Sequence, residues 1–249
     1  MKKFFKNLLV CFLILVLCGA AVFFIGWTSI RVSPDCVGII KSKTGGVKKE
    51  PVRAGKFSWN WEFLLPTNTK LEIFQLKPYL VSKNVSGTLP SGELYSTLLK
   101  SSPDFSYSFD FDFSVNISAE TIESLYENLA FSDQEGLERY IGQLCDSAAK
   151  MLSSEIMRRL EKDSSFQPET LTQDDLMKIV DLNGKFREIQ FSSVSMAKCS
   201  YPDFFMYKNV RSAFLSRIKD VSSALENSSG SEEDAEFMSR LKNFFNNQD

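Results

Sequence analysis

The chain has 249 residues, a formal net charge of −2 and 43% hydrophobic residues, and it contains 22 phenylalanines. This length and composition can fill the core of one large domain or of two small ones. The charge balance argues against a nucleic-acid-binding surface. The absence of histidine excludes Ser-His-Asp and Cys-His catalysis, HExxH zinc sites and the usual imidazole metal ligands.

An uncharged apolar segment near the N-terminus, Leu8 to Trp27, is predicted to be a transmembrane helix. A helix needs about 20 apolar residues to cross the hydrocarbon core of a bilayer, and this segment has that length. Lysines within residues 2–6 precede this segment, as in a secretory signal or a signal anchor. A retained anchor is favoured, because the apolar run continues past the small residues at 19–21 that cleavage would use. A cleaved signal peptide and lipid attachment at Cys18 are the alternatives.

The orientation of the anchor depends on the basic residues beside it. Three lysines precede the span and three basic residues follow it within about 20 residues: Lys2, Lys3, Lys6, Arg31, Lys41 and Lys43. The N-terminal lysines lie closer to the span than the basic residues that follow it. The N-terminus is therefore expected in the cytoplasm and the soluble domain on the opposite side. We therefore predict a single-pass membrane protein.

Three cysteines lie beyond the anchor, at Cys36, Cys145 and Cys199. An odd number at wide spacing argues against a disulfide framework and against CxxC metal sites. One pair could still form a disulfide in an extracytoplasmic domain. We assign no catalytic, cofactor-binding or metal-binding residue.

The region after the anchor is predicted to be rich in strands. The first is a short strand within Ile30–Ile40, after the chain leaves the membrane through Ser33-Pro34. Alternation and turn residues place three more at Val47–Val52, Phe57–Trp61 and Lys70–Leu76. Thr44–Gly46 is the expected hairpin turn between the first two. Trp59 and Trp61 fit either a membrane interface, where Trp is enriched, or an ordinary domain surface and core. Val81–Pro103 is rich in Ser, Gly, Pro and Asn and is predicted to be a long loop or irregular hairpin.

Unbroken apolar–polar alternation from Phe105 to Ile117 predicts one long strand with a buried and a solvated face. Asp110 and Asp112 lie two residues apart on the polar face. They could bind a cation or act in acid–base chemistry, but paired carboxylates on a strand are usually only solvated. We therefore assign them no function.

Two helices are predicted after this strand. Ser118 is the expected N-cap of the first. The second runs from Gln134 to Lys162 and has apolar residues every three or four positions. Cys145 and Lys150 are expected to lie off that apolar stripe, with Lys150 in solvent.

The C-terminal third is predicted to contain a β-segment between helices. A short helix capped within 172–175 ends at Asp181, and the β-segment Arg187–Met196 changes face between Phe191 and Val194, which indicates a bulge. A helix over Phe204–Leu225, a flexible linker at 227–231 and a final helix capped by Ser231 follow. The final helix has an aromatic stripe, expected to dock on the domain or on a partner, at Phe237, Leu241, Phe244 and Phe245.

Four stretches in order resemble the stomatin/prohibitin/flotillin group, the SPFH or band-7 domain family. RVSPDCVGIIKSKTGGV at 31–47 is similar to the family's opening V-x-P-x-x-x-G-V-V pattern, and 52–74 to its L-x-P-G-x-H-F…P run. SYSFDFDFSVNIS at 106–118 is similar to the central strand, and SYPDFFMYKNVRSAF at 200–214 to the turn into the trailing helix. Two departures are the Phe57-Ser58 pair in place of the family's histidine and the missing long coiled coil after Phe214, which argues against assembly into a large ring.

The predicted fold class is α+β: an anchor over 1–30, an SPFH-like domain with an antiparallel β-rich sheet and packed helices over 31–203, and short C-terminal helices over 204–249. The resemblance implies a self-associating membrane scaffold that organises membrane patches or regulates a membrane protein or protease, without cofactor or catalytic residues. The expected partners are the lipid bilayer, further copies of the chain and a membrane protease or other membrane protein, with no nucleic acid and no identified small-molecule substrate.

The alternative is a non-catalytic, membrane-tethered accessory module for envelope components. A hydrolase using Asp110 and Asp112, or a thiol such as Cys199, is the least favoured hypothesis, because no nucleophile–base pair is visible.

Overall fold

The structure is a computed structural model that combines one long apolar helix with antiparallel sheets and helices, an α+β fold. It describes residues 2–28, 31–65, 67–96, 104–128, 130–163, 165–181, 186, 189–226 and 231–246.

The chain forms two compact units, each assembled from three stretches of sequence. The first unit contains Met1–Val81, Phe113–Ser147 and Asp181–Ser193. The second contains Ser82–Asp112, Ala148–Val180 and Val194–Asp249. Each unit therefore depends on residues that are distant in sequence.

Helix α1 (Lys2–Thr28) contains the predicted anchor. Its side chains from Phe4 to Ile25 are exposed, and none of the apolar stretch is buried within the protein. An apolar helix that the protein does not cover needs another apolar environment, and a lipid bilayer supplies one.

The sheet of the first unit is organised around strand β1 (Cys36–Ser42), which pairs antiparallel with β2 (Gly46–Val47), β3 (Val52–Arg53) and β4 (Thr69–Gln75). Val37 lies opposite Phe74, and both side chains are completely buried. Gly38 has no space for a larger side chain, since an added Cβ would lie 2.8 Å from Leu71 and from Val32. The predicted hairpin turn is confirmed, but the return strand is limited to the two short strands Gly46–Val47 and Val52–Arg53 because the chain between them departs from β1 after Lys48.

The predicted strand over Phe57–Trp61 is wrong. Residues 57–60 have no regular structure, and a 3-10 helix covers Trp61–Leu64. The cause is a cap at Asn60, whose side-chain oxygen accepts a 2.9 Å hydrogen bond from the backbone N–H of Glu62. This local bond ends the extended conformation that the alternating residues favoured.

The prediction of a long loop or irregular hairpin over Val81–Pro103 is also wrong in its first part, which is a regular strand paired with the next strand along the chain. Strand β5 (Tyr79–Thr88) and the short helix α2 (Gly92–Ser96) occupy this region, while residues 97–103 lie outside the described residues. The Ser and Asn residues that suggested a loop make cross-strand hydrogen bonds instead. Ser82 donates to Asp112 and Asn84 to Asp110, both at 2.5 Å.

Strand β6 (Ser106–Asn116) is the middle strand of a three-stranded sheet with β5 and β7 (Gln190–Ser200). Its predicted two-faced pattern is confirmed: the apolar face is buried at Phe109, Phe111, Phe113 and Val115, and the side chains between them are half-buried or exposed. In β7 both Phe191 and Val194 are buried, three positions apart, so the buried face changes between them as predicted.

Helices α3 (Ala119–Glu127) and α4 (Gln134–Lys162) begin and end close to the predicted positions. Ser118 caps α3 by accepting a hydrogen bond from the backbone N–H of Thr121. Lys150 is exposed as predicted, whereas the placement of Cys145 outside the stripe is wrong. Cys145 is completely buried, since it lies four residues after Ile141 and continues the row of buried residues Leu137, Ile141, Cys145, Ala148, Leu152, Ile156 and Leu160.

The second unit contains helices α5 (Gln173–Asp181), α6 (Phe204–Glu226) and α7 (Glu232–Asn246). Reciprocal capping bonds begin two of them, between Thr172 and Asp175 at α5 and between Ser231 and Asp234 at α7. The apolar cluster of this unit contains Leu89, Leu94, Tyr95, Phe105, Tyr207, Val210 and Phe214. Part of the linker and the side chains of Phe244 and Phe245 lie outside the described residues.

Candidate functional site

One candidate membrane span is found in the described part of the chain, from Phe4 to Ile25. Its mean hydropathy is 3.2, and it overlaps the predicted segment Leu8–Trp27. A signal sequence near the N-terminus would have the same length and composition. The structure therefore supports a single membrane-associated helix and leaves its orientation as a prediction.

An exposed aromatic segment lies beside this helix. We define the aromatic segment as residues 57–65. The ring of Phe57 stacks on that of Phe23 in α1, with centroids 5.9 Å apart. Phe57, Trp59, Trp61 and Leu65 are 64%, 36%, 56% and 44% exposed. Four large apolar side chains within nine residues of one another form more than the scattered apolar exposure that is normal on a soluble surface.

Glu62, within the aromatic segment, joins the segment to the end of strand β1. Its carboxylate accepts hydrogen bonds from the hydroxyls of Ser42 at 2.9 Å and Thr44 at 3.2 Å, and from the amide of Asn60 at 3.2 Å. The Ser42 bond contributes most, followed by that of Asn60, to a pKa of Glu62 below its usual range. Ser42 also accepts the backbone N–H of Gly45 at 2.7 Å, so the hairpin turn and the aromatic segment form one hydrogen-bonded structure.

A cleft of about 390 Å³ opens next to Phe57. Its lining includes the cationic side chains of Lys48, Arg53 and Lys56 and the acidic side chains of Glu50 and Glu120. We call it the basic cleft. Arg53 donates to the carboxylate of Glu120, and the pKa of Glu120 is lowered chiefly by its own backbone N–H and by Ser118. No sequence pattern marks these residues, because only the turns of the first sheet bring positions 48–58 and 120 together.

The two carboxylates considered for catalysis lie on the polar face of β6. Asp110 accepts from Asn84 and Asp112 from Ser82, each at 2.5 Å. Each carboxylate is therefore paired with a neutral donor on strand β5. Among the described residues, no group of three His, Cys, Asp or Glu side chains is positioned to hold a metal ion.

Cys36, Cys145 and Cys199, the three cysteines beyond the anchor, form no disulfide bond. Cys145 is buried in the stripe of α4, and Cys36 and Cys199 are half-buried. Burial raises the pKa of Cys199 to about 11, and the nearby charge of Glu169 adds to this. At neutral pH the Cys199 thiol is therefore protonated and a poor nucleophile.

Comparison with known proteins gives similarity without a functional assignment. No family model matches the chain. The sequence is 26% identical over 209 residues to an uncharacterized protein of Treponema pallidum (strain Nichols), covering 82% of this chain and 71% of that protein. The resemblance to SPFH domains therefore remains a prediction.

Proposed function

We propose that this protein is a membrane-anchored scaffold with an SPFH-like domain, which self-associates and thereby organises membrane patches or regulates a membrane protein or protease. In this proposal α1 is a retained anchor, the N-terminal lysines lie in the cytoplasm, and the folded units lie on the opposite side. The protein has no catalytic role and no cofactor. The bilayer and further copies of the chain are its main partners.

The observation that carries this proposal is the exposed apolar surface of α1 joined to a folded α+β region. A 22-residue apolar helix with none of its candidate span buried would aggregate in water unless lipid or other apolar helices covered it. The folded units keep their own apolar cores, so α1 is not needed to complete them. An anchor that localises a folded body is the function that this arrangement supports best.

Apolar side chains on α6 support self-association. Phe205, Met206 and Leu215 are 69%, 38% and 54% exposed, although other residues of this helix pack in the apolar cluster. In the final helix, Phe237 packs against Phe214 with ring centroids 6.2 Å apart. Self-association would then use contacts of these two helices.

The test is the mass of the detergent-solubilised chain by light scattering, beside a chain ending at Ser229 and a Phe205→Gln, Leu215→Gln variant. The truncation alone is ambiguous, because removing α7 uncovers Phe214. The double variant keeps α7 and changes only exposed positions, so its fold is expected to be unchanged. We expect a wild-type oligomer that becomes smaller in at least one of the two altered chains.

A monomer in all three forms would contradict the scaffold. It would favour the membrane-tethered accessory module, which needs a partner rather than further copies. A wild-type oligomer that is unchanged in both altered chains would place self-association elsewhere and contradict the role proposed for α6 and α7.

A further inference from the structure

We propose that the basic cleft binds the anionic phosphodiester headgroup of a membrane lipid, and that the aromatic segment beside it lies in the interfacial layer of the bilayer. This inference rests on the proposed membrane anchor, but it does not require self-association. It assigns a ligand class to the cleft and a position to an exposed surface of the first unit.

The stacking of Phe57 on Phe23 sets the depth of the aromatic segment relative to the bilayer. Phe23 is two residues from the end of the candidate span at Ile25, which corresponds to about 3 Å along a helix. The ring of Phe57 therefore lies close to the level where the span leaves the hydrocarbon. Side chains next to Phe57 then face the layer that contains lipid phosphates.

The exposed residues of the aromatic segment suit that layer. Trp59 and Trp61 combine an apolar ring with one N–H donor, and tryptophan is enriched where one end of a side chain meets hydrocarbon and the other meets water. Phe57 and Leu65 provide further apolar surface. Exposure of these apolar side chains to water is unfavourable. Burial at a membrane interface would remove them from solvent without requiring a protein partner.

The hydrogen bonds of Glu62 give the segment a fixed form. The 3-10 helix of the segment is joined to the buried hydroxyl of Ser42 at the end of β1, and Phe63 packs on Ile40 and Val52 beneath it. An interfacial surface that is held before lipid binds loses less conformational entropy than a free loop would.

The charge of the cleft matches one phosphodiester. Three cations and two acids line it, so its net charge is +1. Arg53 neutralises Glu120, and its guanidinium has further N–H donors. Within the described part of the chain, neither Lys48 nor Lys56 forms an ion pair, so both ammonium groups can face a phosphate. Each lysine close to an anionic membrane surface is expected to favour binding about five-fold.

The experiment uses the full chain in vesicles of equal parts phosphatidylcholine and phosphatidylglycerol. The probe is Phe57→Trp, in a chain whose tryptophans at 27, 59 and 61 are replaced by phenylalanine. Two vesicle preparations differ only in which lipid carries brominated acyl chains, which quench tryptophan fluorescence at contact distance. The ratio of quenching by the two lipids reports which lipid lies preferentially beside position 57. This ratio does not depend on the depth of the probe in the bilayer.

We expect quenching by both lipids and a ratio above 1 in favour of phosphatidylglycerol. Replacing both Lys48 and Lys56 by Gln should lower the ratio by about 25-fold, about five-fold for each lysine, or to parity, whichever is reached first. Lys49→Gln is the matched control, since Lys49 is exposed, lies next to Lys48 and does not line the cleft. It should retain the ratio, and thermal melting should confirm that all variants fold.

Equal quenching by both lipids, or a preference that survives in the double variant, would overturn the headgroup site. Absence of quenching at position 57 would overturn the interfacial position of the segment and favour a protein partner for the exposed aromatic residues. A second chain that retains only Trp27 reports the anchor separately. If Trp27 is also unquenched, both the anchor and this inference fail, whereas quenching at Trp27 alone leaves the anchor intact.

Discussion

Ser42, at the end of strand β1, donates a 2.9 Å hydrogen bond to Glu62 in the 3-10 helix of the aromatic segment. Twenty residues separate the two positions in sequence, so this bond fixes the segment to the sheet. Ser42 is buried and simultaneously accepts the N–H of Gly45. The buried hydroxyl of Ser42 therefore joins the segment with the exposed aromatic residues to both the sheet and the hairpin turn.

Replacing Ser42 by Ala is expected to destabilise the first unit by about 1–2 kcal/mol, because the N–H of Gly45 and the carboxylate of Glu62 lose a partner. Denaturant unfolding in detergent measures this change. Ser58→Ala removes a hydroxyl from the aromatic segment that makes no hydrogen bond among the described residues, and it should change stability by less than about 0.5 kcal/mol. Equal effects of the two substitutions would contradict the role given to Ser42.

A pH-dependent contribution to stability is expected from Glu155 in α4. Two hydrogen bonds from Arg158, at 2.6 and 2.7 Å, and one from Arg159 at 2.9 Å lower its pKa to about 2, although partial burial opposes the shift. Since the folded-state pKa lies below the usual 4.5, the stabilisation is fully present above pH 4.5 and is lost as the pH falls towards 2.

Glu155→Gln should therefore lower the free energy of unfolding by about 1 kcal/mol at pH 7 and reduce its decline between pH 5 and 3. Arg158→Lys keeps the charge but not the two-bond geometry, so an intermediate effect is expected. Chemical unfolding at a series of pH values tests this. If the free energy of unfolding falls as steeply between pH 5 and 3 in Glu155→Gln as in the wild type, other carboxylates cause the acid sensitivity.

The final helix is held to α6 by a small contact that can be removed selectively. Phe237 is half-buried against Phe214, and Arg217 donates a 2.7 Å bond to Asp234. Phe237→Ala should cost about 1–2 kcal/mol of docking, so hydrogen exchange of α7 amides should become about ten-fold faster. Phe205→Ala, at an exposed site of α6, is the matched control. If both substitutions leave exchange in α7 unchanged, docking does not depend on this ring.

Replacing Asp110 and Asp112 by Asn together should leave stability within about 0.5 kcal/mol and should not change the oligomer mass. Both carboxylates lie on the polar face of β6, and an amide oxygen can still accept the bonds from Ser82 and Asn84. Thermal melting and light scattering measure the two properties. Loss of biological function in a variant that folds and assembles normally would revive the enzyme hypothesis.

The long periodic elements could be predicted from the sequence because one face of each is buried along its whole length. Strand β6 and helix α4 lie where their periods of two and of 3.6 residues place them. In α4 the placement of Cys145 was wrong, because a buried thiol packs as a small hydrophobic side chain although cysteine is not a typical member of an apolar stripe. The capped helix starts at Ser118 and Ser231 could be predicted because their signals are local.

Other features depended on contacts that are distant in sequence. Ser82 and Asn84 are typical of loops, and only their partners on β6 explain why they lie in a strand. The alternation around Trp59 favoured a strand, but the hydrogen bond from the N–H of Glu62 to the side chain of Asn60 ends the extended conformation and begins a 3-10 helix at Trp61. Glu120 could not be associated with Arg53 from the sequence, because the sheet has to form before they meet.

The central claim is that α1 is a retained membrane anchor, and the most direct test is the intact mass of the chain recovered from membranes after an alkaline wash. We predict that the chain sediments with the membranes and that its mass includes Leu8–Trp27. Release of the chain into the supernatant, with a mass that begins after the small residues at 19–21, would identify a cleaved signal sequence and contradict the proposed anchor.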